Sequence, residues 1–270
     1  MTIDAREARY VFDNSWLAGR ERLAAAEQLL DPGTFRNLEI LGVGEGWQCL
    51  EAGAGGGSVA RWLCERVGGS GRVTATDIDT RFLSAAGTQN LEVIEQDLCR
   101  DELREGAYDL VHTRLVLEHL PERDAVLTKL GKALKPGGWL LVEAVDYVSG
   151  VPITRLGARL HRRTLAARLR MMRDAGLDPE YGRTLPGAFR ARGLTQVGAE
   201  GRVWIMEGGS AGAQWFRLSM AQIRDRLVRE RGLEDAEVGQ MLEMFENPDF
   251  AAWTPVIVAA WGRAGETRPQ

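Results

Sequence analysis

At 270 residues and 29.8 kDa the chain can bury roughly 73% of its unfolded surface, and it accommodates one large domain or one domain with a small cap. Hydrophobic residues at 44% and charged residues at 27% exclude a disordered or fibrous chain. A net charge of -4 with a pI near 5.6 argues against nucleic acid as the main partner, and no run of eighteen apolar residues marks a membrane span.

From the N-terminus, Ala5–Leu41 reads as helix, broken at Asp31-Pro32-Gly33. From Trp47 to about Val148, apolar runs alternate with amphipathic segments. Gln48–Ala52, Val73–Thr76, Leu91–Gln96, Tyr108–Thr113 and Trp139–Val145 read as strands. Between them Val59, Trp62, Leu63 and Val67 share one helical face, as do Val126, Leu127, Leu130 and Leu134. This order predicts an α/β, Rossmann-like, doubly wound parallel sheet covered on both faces. A helix over Pro186–Arg192, a strand over Leu194–Met206 and a last strand over Pro255–Trp261 complete it. The helical stretches Ile153–Ala175, Ala211–Glu230 and Glu234–Phe245 exceed what a minimal sheet needs and are assigned to a cap over its open edge. The expected division is a lid over 1–46, a core over 47–149, cap insertions over 150–180 and 210–252, core elements over 181–209, and the last strand with its tail over 253–270.

Cys49, Cys64 and Cys99 form no CxxC pair, and with three histidines no metal-ligand cluster is expected. Reduced thiols and a cytoplasmic location are expected, since the first residues lack a signal-peptide apolar core. Lysine occurs only at positions 129, 132 and 135, so 31 of the 34 basic residues are arginine. Coding bias explains that abundance, and no single arginine is singled out by it.

The sharpest signal is Glu51-Ala52-Gly53-Ala54-Gly55-Gly56-Gly57-Ser58, which follows a strand and opens a helix. Glycines there bring bare backbone N–H groups against a ligand. Asp77 ends the next strand, where a carboxylate can accept from a ribose diol; it also fits a helix N-cap. A dinucleotide loop would read GxGxxG, but the third glycine position holds Ser58. Glu51 would repel a pyrophosphate and attract a sulfonium, so the loop suits a cationic nucleoside such as S-adenosylmethionine.

Residues 48–146 resemble a class I S-adenosylmethionine-dependent methyltransferase. Glu51-x-Gly53-x-Gly55-x-Gly57 matches that family's first motif, and Asp77 with Ile78 its ribose acid and the apolar residue beside the adenine. Gln96-Asp97-Leu98 is similar to its adenine-edge motif, although Asp97 also fits a plain turn. Tyr108–Val111 through Leu117–Pro121 and Leu134–Leu141 resemble its later motifs. The resemblance implies a seven-stranded sheet whose last strand inserts antiparallel beside the fifth, with S-adenosylhomocysteine as product.

Ligands bind at the carboxyl ends of parallel strands, which makes Thr113, Arg114, Glu118, His119, Glu143, Asp146 and Tyr147 candidates. Methyl transfer is an in-line displacement that needs alignment, and a base only if the acceptor loses a proton. His119 is the best base on chemical grounds, with packing as its alternative. Glu143, an acid inside an apolar strand, is the second candidate, with an ion pair to Arg114 as the structural alternative. Arg114 also suits the cofactor carboxylate. Tyr10, Phe12, Asn14, Trp16 and Tyr147 are expected to line or lid the acceptor site, or else to belong to the core. The seven arginines between Arg155 and Arg173 read as a solvated amphipathic face, with a site for an acidic acceptor as the alternative.

The nucleobase-gripping Asn/Asp-Pro-Pro-aromatic loop is missing, and no proline–cysteine pair supplies a nucleophile, so the expected acceptor is a small molecule. The layout resembles tailoring methyltransferases of actinobacterial specialised metabolism, acting as monomer or homodimer. A non-catalytic S-adenosylmethionine-binding or assembly protein is the alternative. A nicotinamide oxidoreductase lacks support in the third glycine and in any Tyr-x-x-x-Lys pattern.

Overall fold

The computed structural model describes residues 17–83 and 88–266. The expected helix before Leu17 and the candidates Tyr10, Phe12, Asn14 and Trp16 lie outside the described residues, and Leu17 and Ala18 form a turn ahead of the first helix. In chain order the elements are α1 (Gly19–Ile40), β1 (Gln48–Ala52), α2 (Ser58–Val67), β2 (Arg72–Asp77), β3 (Leu91–Glu95), β4 (Tyr108–Arg114), α3 (Arg123–Ala133) and β5 (Leu134–Asp146). Then follow α4 (Ala158–Asp174), α5 (Tyr181–Ala191), β6 (Thr195–Arg202), β7 (Ile205–Glu207), α6 (Ala211–Gln222), α7 (Arg224–Arg231), α8 (Asp235–Met244), β8 (Ala251–Trp253) and β9 (Val256–Arg263). They form two compact units. An α/β unit holds the described residues of 30–145, 181–201 and 257–270, and a helical unit holds those before 30 and those of 146–180 and 202–256.

The α/β unit is built on a seven-stranded sheet in the order β3-β2-β1-β4-β5-β9-β6. The first five strands pair in parallel. The Ala264 N–H donates to Gly138 O at 2.8 Å and the Thr195 hydroxyl donates to Arg263 O at 3.2 Å, so the end of β9 meets the beginnings of β5 and β6. The last strand therefore runs antiparallel between them, beside the fifth as the family resemblance implies. Side chains alternate across the sheet with period two. Leu50, Ala52, Val111, Leu140, Val142 and Ala144 face α3 and α5, in one core with Val126, Leu127, Leu130 and Phe189. Cys49, Leu110 and Leu141 face the other way, in a core with Val59, Leu63 and Val67 of α2 and Leu38 of α1. On that second face Phe35 stacks on Trp62, with ring centroids 5.0 Å apart and planes 7° from parallel.

Several elements differ from the expected bounds. Helix α1 runs through Pro32 without a break. Proline forfeits one backbone N–H, but Asp31 and Thr34 beside it are tied to Arg114, which holds the chain in helical register. Strand β5 begins at Leu134, with Lys135–Gly138 forming an irregularity between the pairs Tyr108–Leu134 and Leu110–Trp139. The expected strand Leu194–Met206 divides into β6 of the large sheet and β7, which pairs with β8 in the helical unit. The expected helix Ile153–Ala175 starts only at Ala158, because the N–H groups of Ile153 and Thr154 are taken by Ala251 O.

The helical unit packs α4, α6, α7 and α8 with the β7–β8 ribbon. The Ser210 side chain caps α6 by accepting from Ala213 N, and Glu234 with Glu237 forms a capping box at α8. Its core is aromatic, with Phe245 and Phe250 fully buried. No helix among the described residues is long and apolar enough to cross a membrane. Among the described residues no group of three or more His, Cys, Asp or Glu is placed to hold a metal.

Candidate functional site

The glycine bend leaves the end of β1 and feeds α2. Gly53, Gly55 and Gly57 all have positive φ, at 77°, 55° and 82°. Only glycine adopts these angles without strain, and a Cβ on Gly53 would overlap Val116 Cγ2. The bend is anchored to the next strand: the N–H groups of Gly53 and Ala54 donate to Thr76 O at 2.7 and 2.9 Å, and that of Gly55 donates to Asp77 Oδ2 at 2.8 Å.

Asp77 is thus more than a diol acceptor, because it ties β2 to the bend. Its Oδ1 accepts from Asp79 N at 3.1 Å, and none of the described residues 78–83 is helical. Burial raises its pKa above the usual carboxylate value, against the pull of the backbone donors. An ionised carboxylate has about four acceptor positions, so both oxygens keep capacity for a ligand. Beside it Ile78 is 51% exposed. Asp97 forms a turn, its Oδ1 accepting from Cys99 N at 2.9 Å and its Oδ2 lying 3.5 Å from Arg100. Leu98 points into the core below α3.

Behind the bend lies a buried chain of charged groups. Glu51 on β1 and His112 on β4 are register partners, and Glu51 Oε2 lies 2.5 Å from His112 Nδ1. His112 Nε2 lies 3.4 Å from Glu143 Oε2 on β5. All three side chains are at most 3% exposed. Burial alone depresses an imidazolium, but Glu51 and Glu143 outweigh it and raise His112 to about 9. Burial likewise raises a carboxyl, yet His112, Arg114 and Thr34 bring Glu143 below its ordinary value. The two acidic side chains thus hold His112 toward its protonated form, in a buried polar group beside the bend.

The chain continues on α1. The Thr34 hydroxyl donates to Glu143 Oε2 and accepts from Arg114 Nη1, while Arg114 Nη2 pairs with Asp31 at 2.8 Å. Ser58, the first residue of α2, donates to the same Asp31 oxygen at 3.0 Å. A closed circuit from Glu51 to Ser58 thus brackets the glycine bend. The expected ion pair of Glu143 with Arg114 is replaced by Arg114–Asp31, with Thr34 between the two.

At the end of β4, Leu115 adopts φ 59°, unusual for a non-glycine residue. It directs the chain into the short turn Leu117–His119. Glu118 in that turn is fully buried; Oε1 accepts from Val145 N at 3.2 Å while Oε2 has no hydrogen-bond partner. Burial pushes its carboxyl up to about 7. His119 is half-buried in the same turn. Thr113 is buried at 1% exposure, and its Oγ1 lacks a hydrogen-bond partner. Tyr147 belongs to the helical unit, buried, with its N–H donating to Pro179 O. The bend, Asp77, Ile78, Thr113, Arg114, His119 and Glu143 all belong to the α/β unit. His112 was not singled out by the sequence, because one histidine in an apolar strand gives no signal by itself. Its register with Glu51 on the adjacent strand is the clue.

The family model described as a methyltransferase domain matches residues 50–142. The chain is 33% identical over 110 residues to methyltransferase str2 of Strobilurus tenacellus, covering 40% of this chain and 38% of that protein. It is 32% identical over 111 residues to the ubiquinone/menaquinone biosynthesis C-methyltransferase UbiE of Laribacter hongkongensis, covering 39% and 46%. The chain thus spans less than half the length of these curated relatives. Among solved structures, a phosphoethanolamine N-methyltransferase 2 of Haemonchus contortus, in complex with phosphomonomethylethanolamine and S-adenosylhomocysteine, superposes with a TM-score of 0.57. That likeness has 15% identity and covers 93% of this chain and 59% of the other.

Proposed function

We propose that this chain, whose residues 50–142 and sheet topology are those of a class I S-adenosylmethionine-dependent methyltransferase, transfers a methyl group from S-adenosylmethionine to a small-molecule acceptor of specialised metabolism. The observation that carries this is the positive-φ glycine bend hydrogen-bonded to Asp77 within the matched segment. The bound cofactor supplies a methyl group activated by a sulfonium charge. Asp77 offers its remaining acceptor positions to the ribose, and the exposed face of Ile78 lies open for the adenine. The Asp97–Leu98 turn serves the adenine edge, and Thr113, whose buried hydroxyl lacks a hydrogen-bond partner, is assigned to the cofactor side of the site. The acidic Glu51, two residues before Gly53, favours a cation at the bend over a pyrophosphate.

Two candidates take different roles. His119, half-buried after β4, is the residue for proton transfer from the acceptor. Glu143 is held by Thr34 and His112 at 1% exposure, so it positions the buried circuit instead of touching the acceptor. Support for a small acceptor comes from the net charge of -4 and from the relatives, one acting in ubiquinone and menaquinone biosynthesis and one bound to phosphomonomethylethanolamine.

The test is methyl transfer from methyl-labelled S-adenosylmethionine to a panel of phenols, indoles and amines, with tRNA and duplex DNA alongside. Label in a small-molecule product is expected. Label in nucleic acid, or tight cofactor binding with no transfer to any acceptor, contradicts the assignment. His119→Ala should lower kcat about a hundredfold on a phenolic acceptor while leaving S-adenosylhomocysteine affinity unchanged.

A further inference from the structure

Two of the three lysines face carboxylates: Lys135 lies 2.7 Å from Asp109, and the exposed Lys132 lies 3.7 Å from Glu105. Lys129, half-buried on α3, has a different role. Its ammonium donates to two backbone carbonyls in the turn after β3, Leu98 O at 3.0 Å and Asp101 O at 2.5 Å. An ammonium carries three donors on one nitrogen, so it converges on two carbonyls that a planar guanidinium would meet with separate nitrogens.

The turn is otherwise closed by its own groups. The Asp97 N–H donates to Asp101 Oδ2 at 2.8 Å and the Cys99 N–H to Asp97 Oδ1 at 2.9 Å. The N–H groups of Arg100 and Asp101 donate to Asp97 O at 3.0 and 2.8 Å. That of Leu98 has no acceptor among the described residues. The Gln96 N–H donates to Asp77 O at 2.8 Å, which ties the turn to the strand end that carries the ribose acid. Lys129 reaches Asp97 through one rigid unit. Leu98 O and the Cys99 N–H belong to a single planar peptide, so the ammonium anchors one edge of a plane whose other edge holds Asp97 Oδ1. Without the ammonium that plane loses its outer anchor, and the Asp97 carboxylate loses its fixed direction.

We propose that Lys129 is a positioning residue for purine recognition, fixing the turn so that the Leu98 N–H and the Asp97 carboxylate are presented together. A donor beside an acceptor fits the ring nitrogen and exocyclic amine of an aminopurine, and opposes the ring N–H and carbonyl of an oxopurine. This assignment rests on the S-adenosylmethionine reading of the same site and adds the residue behind its base selectivity.

S-adenosylhomocysteine and its oxopurine counterpart, S-inosylhomocysteine, are titrated calorimetrically into wild type, Lys129→Met and Lys129→Arg, and the ratio of the two Kd values is compared. Wild type should prefer the adenine form by about tenfold or more. Lys129→Met should lose about fivefold or more in S-adenosylhomocysteine affinity and change little toward S-inosylhomocysteine, so that the preference narrows. Lys129→Arg, which keeps the charge, should fall between the two. A merely structural role would weaken both ligands equally and leave the ratio untouched. A wild-type ratio in Lys129→Met, with or without a general loss of affinity, overturns the assignment, as does a wild type that fails to discriminate. Should Lys129→Met not fold, the Lys129→Arg ratio decides by the same criterion. A wild type that does not bind S-adenosylhomocysteine at all instead refutes the cofactor reading beneath it.

Discussion

Two buried titrating residues set how the protein responds to pH, each losing stability as pH rises, over successive parts of the range. Glu118 is raised to about 7 by burial, so the folded state holds its proton more tightly than the unfolded state does. Stability from this group is complete below pH 4.5 and is lost as the pH rises through 7. Glu118→Gln keeps an acceptor for Val145 N and removes the cost of ionisation. It should raise the stability at pH 8 by up to about 3 kcal/mol, read as a higher Tm, with the gain vanishing below pH 5. An equal gain at both pH values contradicts this account. His112, raised to about 9 by its two carboxylates, contributes stability that is complete below pH 6.5 and lost as pH rises through 9. Its removal strands Glu51 and Glu143 in the core, so His112→Ala should cost about 3–5 kcal/mol in urea unfolding at pH 7. A cost below about 1 kcal/mol means that the carboxylates are neutral or hydrated there.

At the scale of elements, the glycine bend is held from both sides, by Asp77 on β2 and by Asp31 of α1 through Ser58. Gly53→Ala meets both a forbidden φ and Val116, and should abolish cofactor binding while the helical unit stays folded. Pro32→Ala restores a helix hydrogen bond and should raise Tm without changing cofactor affinity; a lower Tm would show that the proline shapes the Asp31–Arg114 contact. The strands and α2, α3 and α5 were legible in the sequence, because period-two and period-3.6 patterns report burial directly. So were Glu51, Asp77 and the bend, which are local in sequence. The circuit was not, because Glu51, His112, Glu143, Thr34 and Arg114 come from four separate elements that meet only through strand order. The run of α1 through Pro32 was hidden for a similar reason: its support comes from Arg114, 83 residues from Asp31. The expected solvated face of Arg155–Arg173 holds for six of its seven arginines, whereas Arg168 on α4 is 4% exposed, a departure that the arginine-rich pattern around it concealed.

For the whole molecule, net charge, fold and site agree. An acidic chain carries a mostly parallel sheet whose glycine bend follows the acidic Glu51, an arrangement that suits a cationic nucleoside donor. Ligand binding at that place stabilises the folded state in proportion to occupancy, so cofactor recognition is readable without knowing the acceptor. The most direct measurement is calorimetric titration of S-adenosylhomocysteine into ligand-free wild type and into Asp77→Ala. One site of micromolar affinity or better is predicted for wild type, about −8 kcal/mol, with at least tenfold weaker binding for the variant. No heat with wild type, or equal affinity in the two proteins, contradicts the account.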